Sequence, residues 1–193
     1  NLPALLTVFA LAGPALAQAP QLDGCDVGVD EYDEIVLPVL DGAWTAAHGA
    51  GLVVVSNGGQ TMTQPIPPDA ERDPVNFTYD DGRVLVSGPD MAFYEVETVP
   101  LEESTDYSVP LGEGGSEIAL DLGAVETPPN CTPDLLPRLR WSGEMGLEGA
   151  DGLAHFEVIV HMLNENTLSG IMILNTSAAG GQLHARRLIT ITR

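Results

Sequence analysis

His155, Glu157 and His161 occur with even spacing in a stretch that alternates polar and apolar residues, so they share one face of a strand. Imidazoles beside a carboxylate are what a divalent metal site needs. At about 3.3 Å per residue, however, the two histidines stand roughly 20 Å apart and cannot hold one ion. His155 with Glu157 and a neighbouring-strand residue such as His184 is the arrangement that spacing still permits. The plainer reading is a row of polar residues on an exposed sheet face. Other chemistry is missing from the pattern. Neither Ser56 nor Ser116 lies in a Gly-x-Ser-x-Gly elbow, and no His-Glu-x-x-His, phosphate-binding loop or Cys-x-x-Cys occurs. Gly112-Glu113-Gly114-Gly115 lacks the strand-to-helix setting that cradles phosphate. No catalytic residue, metal ligand set or cofactor is assigned, and the chain is not read as an enzyme.

The apolar residues carry more. Trp141, Met145, Phe156 and Met172 fall at inward positions of alternating segments. They either line an apolar cavity, where methionine adapts to varied ligands, or fill the interior completely, as side chains do in small barrels. These four are the candidate ligand-binding residues.

Period-two alternation must position them. It is clearest over 139–145, 117–122 and 154–163, with an apolar run at 168–176 and a last strand at 183–192. Further strands are expected at 51–56, 60–64, 75–79, 83–88 and 92–99. Asp80-Asp81-Gly82 and Asn57-Gly58-Gly59 are short hairpin loops. A short helix is expected over 30–40, with acidic residues near its start and Pro38 limiting its length. Thr132-Pro133-Asp134-Leu135-Leu136, with Thr at the cap and Pro at the first position, suggests a single helical turn. Two loops stand out, the proline-rich 64–74 and the acidic, glycine-containing 102–116. The implied fold is all-β, a single antiparallel β-barrel of about 8–10 strands with a short N-terminal helix, or else a β-sandwich. Charged outward faces exclude an outer-membrane barrel.

Gly42-Ala43-Trp44 after a short helix resembles the Gly-x-Trp signature of lipocalins and the wider calycin group. The resemblance implies that Trp44 closes one barrel end, with a cation from the last strand packed over it. Arg186, Arg187 and Arg193 all lie in that strand, and Arg187 is assigned the role. Ligand binding is implied by the same resemblance. Thr105-Asp106-Tyr107 spells a late family motif but falls in the acidic loop, with several more strands expected after it.

Location and charge complete the reading. Asn1 to Ala17 is an uncharged apolar run ending in Ala15-Leu16-Ala17, a secretory signal peptide with cleavage after Ala17. A periplasmic or secreted protein is therefore expected, with a leader over 18–29 and one domain over 30–193. Cys25 and Cys131 are expected to pair, closing a loop of about 100 residues worth about 4–5 kcal/mol. The net charge of −21 over 193 residues, with seven arginines and no lysine, excludes nucleic-acid partners. From Asp23 to Glu71 every charged residue is acidic. The expected protein is a monomer that does not span a membrane once processed. It binds a small apolar ligand, or else acts as an envelope interaction domain whose filled barrel presents its two loops.

Overall fold

The computed structural model describes residue 27 and residues 31–89, 91–99, 108–110, 117–119, 135–146, 153–178 and 181–193. The signal segment, Cys25, Cys131 and Thr105-Asp106-Tyr107 lie outside the described residues, as does most of the 102–116 loop. A π-helical turn, Tyr32–Val36, runs directly into an α-helical turn, α1 (Leu37–Leu40). Pro38 sits in the first turn of α1, where its missing N–H costs nothing.

Eleven strands follow among the described residues. In order they are β1 (Gly42–Asn57), β2 (Gln60–Ile66), β3 (Arg72–Asp80), β4 (Arg83–Gly88), β5 (Met91–Val99), β6 (Ser108–Pro110), β7 (Glu117–Ala119), β8 (Arg138–Gly146), β9 (Leu153–Asn164), β10 (Thr167–Ala178) and β11 (Gly181–Thr192). The chain is all-β, and eight strands close an antiparallel barrel in the order β1-β3-β4-β5-β8-β9-β10-β11, with β11 returning to β1. This is a barrel and not a sandwich. The expected strand at 117–122 is described only over 117–119, where it pairs with β6 in a separate two-stranded sheet.

Strand β1 does double duty. Its first half pairs with β3 and its second half with β2, while β11 runs along both. The switch falls at a bulge between His48 and Gly51. There the expected proline-rich loop shrinks to 67–71. Pro65 is accommodated because β2 is an edge strand, and Pro74 because it lies beyond the last β3–β4 pair, Asn76 with Ser87. The two short hairpin loops form as their residues dictate. Asp81 and Gly82, like Gly58 and Gly59, take positive φ, the backbone of a type I′ turn.

The core gathers at the helix end of the barrel. Tyr32, Val36, Leu37 and Leu40 are buried with Trp44, Phe77, Val84, Leu139, Met162, Leu168 and Ile191. Phe77 stands edge-on between the two tryptophans, its centroid 5.9 Å from each of Trp44 and Trp141. This end is lined with buried, mutually packed side chains. Among the described residues no helix is long and apolar enough to cross a membrane.

Candidate functional site

At the helix end, the Trp44 indole Nε1 donates to the Leu40 carbonyl at 2.7 Å, tying the first strand to the last turn of α1. The cation over the ring is Arg193, 4.6 Å from the ring centroid. Its Nη2 also donates to the carbonyls of Val39 at 2.7 Å and Asp41 at 2.9 Å, groups that a helix end leaves unpaired. The assignment of Arg187 is corrected accordingly. Register decides it, because Thr45 pairs with Thr192, so Trp44 lies beside Arg193, whereas Arg187 pairs with Gly51 beyond the bulge. There Arg187 donates Nε to the Gly49 carbonyl at 2.9 Å and Nη2 to that of Pro67 at 3.2 Å, with the Asp69 carboxylate at 3.9 Å. It fastens the 67–71 connection to β1.

Toward the opposite end the interior is not filled. A cavity of about 330 Å3 occupies the barrel above Trp141. Its deep wall is apolar, formed by Trp141, Val86, Ala46, Val158 and Ile189, all buried. Phe156 and Met172 continue the wall, and Met145, Pro74, Pro89 and Asp73 form an exposed rim. The structure thus brings Trp141, Met145, Phe156 and Met172 together around one cavity. The alternation that placed them inside held across β8, β9 and β10, whose register pairs Trp141 with Val158 and Val158 with Met172.

Two polar residues in this wall were not singled out by sequence. His48 and Asp73 lie on the inner face of β1 and β3, and His48 Nε2 is 3.0 Å from Asp73 Oδ2. The His48 Nδ1 is buried and has no hydrogen-bond partner among the described residues. Asp73 reads as one more surface acid in an acidic chain until the Ala46–Asp73 register pair places it inward.

One side of the barrel is closed by a side chain. β5 and β8 pair only over Glu97–Arg140, Thr98–Leu139 and Val99–Arg138. Higher up, Tyr94 spans the seam. Its hydroxyl donates to the Glu144 carbonyl at 3.1 Å, and its ring stands edge-on to Phe156 at 4.9 Å. Gly143 makes room for it, since a Cβ there would fall 2.0 Å from Tyr94 Cε1.

The histidine row on β9 does not assemble a metal site. Register sets Asn175 between His155 and His184, and Asn175 Oδ1 is 2.8 Å from His184 Nδ1. Among the described residues no three His, Cys, Asp or Glu side chains come together to hold an ion. Nor is this face simply exposed, as expected. His161 is buried, and so are Ile171 and Ile173 on the neighbouring strand, while β6 lies against β1 and β11.

Comparison with known proteins returns no family model, no curated protein and no solved structure that matches the chain.

Proposed function

We propose that this chain is a lipocalin-like binding barrel, exported and non-enzymatic, that takes a small apolar ligand into the cavity above Trp141. The observation that carries this reading is the contrast between the two ends. The helix end is sealed by Trp44, Phe77 and Arg193, while the other end holds an apolar space bounded by an exposed rim. A volume of about 330 Å3 lies within the range typical of small-molecule pockets, about 300–1,000 Å3. Removing a ligand's apolar surface from water there supplies the affinity, at about 25 cal/mol per Å2. The Gly42-Ala43-Trp44 resemblance and the packing of an arginine over that tryptophan support the lipocalin-like assignment. Export rests on the apolar run ending at Ala17.

The test is titration with the neutral fluorophore N-phenyl-1-naphthylamine. Saturable one-to-one binding with blue-shifted emission, displaced by decanol, is expected. Ala46→Leu, which puts a larger side chain into the cavity from a buried wall position, should weaken binding at least about tenfold without lowering stability by more than about 1 kcal/mol. Absence of saturable binding, or binding indifferent to Ala46→Leu, overturns the reading.

A further inference from the structure

The charge of the cavity wall is one-sided. Among the described lining residues only Asp73 carries a permanent charge, and no arginine lines the cavity. The chain has no lysine to supply another cation. Arg187, which reaches the His48 carbonyl, is committed elsewhere, because it also donates to the carbonyls of Gly49 and Pro67 and faces Asp69. Arg72 precedes Asp73 on β3 and, by strand alternation, lies on the other face. With histidine counted as neutral, as in the net charge of −21, the described lining carries one negative charge, that of Asp73, at the rim of an apolar cavity.

We propose that the cavity selects amphiphiles whose polar end is a cation, such as a primary alkylammonium, and discriminates against carboxylates, with Asp73 setting the preference. The inference rests on the binding reading above and adds the ligand's chemical class. A ligand lying with its chain against Trp141 and Val158 leaves its head at the rim, where Asp73 is half-exposed, with a side-chain accessibility of 54%. An ammonium there keeps part of its hydration and gains the carboxylate. A carboxylate there meets like charge with no donor cation among the lining residues. Size sets the other limit. At roughly 30 Å3 per small group, the share a water takes in the liquid, the cavity holds a chain of roughly ten carbons.

Three ligands sharing one chain test this: decylammonium, decanol and decanoate, each competing with N-phenyl-1-naphthylamine at pH 7.5 below its aggregation threshold. Decylammonium should bind at least about fivefold more tightly than decanoate, the scale of one partly exposed ion pair, with decanol between them. Asp73→Asn should bring decylammonium to within about twofold of decanol. Asp73→Ser, which also removes the carboxylate, should do the same. Glu165→Gln, in the turn after β9 at the helix end, should leave the preference intact, which separates Asp73 from the general acidic field. Equal or tighter binding of decanoate overturns the proposal, as does a preference that survives both substitutions of Asp73. Those results with decanol still bound would leave the binding barrel standing. Failure of all three ligands to displace the fluorophore would remove the barrel reading and this inference together.

Discussion

Two side chains at the helix end of the barrel do opposite things. Arg193 satisfies two helix-end carbonyls and covers an indole, so the last residue of the barrel is tied to α1 through polar contacts with defined partners. Tyr32 nearby is buried at 1% exposure with its hydroxyl lacking any hydrogen-bond partner among the described residues. Burial pushes its phenol above the usual tyrosine value, and the Arg138 cation pulls it partway back. The sign of the pH effect follows. The folded state holds the proton to higher pH than the unfolded chain, so this contribution is fully present below about pH 10. It is lost as pH rises through the folded value. Tyr32→Phe removes both the orphan hydroxyl and the ionisation. At pH 7 the variant should be as stable as the parent or up to about 1 kcal/mol more stable, because an unpaired buried hydroxyl costs about that much. Between pH 9 and 11 the parent should lose stability relative to the variant. Urea midpoints across that range check both statements, and a variant clearly weaker at pH 7 would mean that the hydroxyl has a partner. The choice among Arg186, Arg187 and Arg193 was not legible in the sequence. The bulge between His48 and Gly51 shifts the β1–β11 pairing by one residue, and nothing in the composition of β11 marks that shift.

Among elements, alternation wrote most of the barrel plainly. Strands β8 to β11 follow the expected order with ends within two residues of those read from the pattern, because each has one face turned to a dry interior. The first half of β1 was harder, since Ala43, Ala46, Ala47, Gly49 and Gly51 give it a weak β signature. Its small residues suit close approach to β11 instead: a Cβ at Gly51 would meet the Arg186 carbonyl oxygen at 2.4 Å. The β5–β8 seam was likewise invisible, because Tyr94 and Gly143 acquire their relationship only when the two strands lie side by side. Gly143→Ala should therefore drive the Tyr94 ring from its place, breaking its bond to Glu144 and its contact with Phe156, at a cost of about 1–3 kcal/mol. The effect should be non-additive. In a Tyr94→Ala background the same glycine substitution should cost less than about 0.5 kcal/mol, since the clashing ring is gone. A double-mutant cycle by urea denaturation measures this, and equal costs in both backgrounds would separate Gly143 from Tyr94.

Taken whole, the molecule sets few cations against many carboxylates. Among the ion pairs of its described arginines, Arg83–Glu95 at 2.6 Å is exposed on both sides and Arg140–Glu97 at 3.2 Å is exposed on its carboxylate side. Exposed pairs of this kind are each worth about 0–1 kcal/mol, and salt weakens them. Repulsion within a net charge of −21 acts in the other direction, because folding brings carboxylates together that the unfolded chain holds apart. Salt weakens that repulsion too. The Debye length falls from about 30 Å at 0.01 M to about 3 Å at 1 M, so the many long-range repulsions are screened along with the few short attractions. The sum favours screening. Raising sodium chloride from 10 mM to 0.5 M should increase the urea midpoint, and potassium chloride should match it, since a mean field does not distinguish monovalent cations. A midpoint that falls with salt would mean that the seven arginines outweigh the excess charge through pairing. A response to sodium without one to potassium would point to a specific ion site instead of a field. This charge balance was legible from composition alone. What composition could not reveal is that one carboxylate, Asp73, faces the interior, for that depends on the register in which β3 meets the first half of β1.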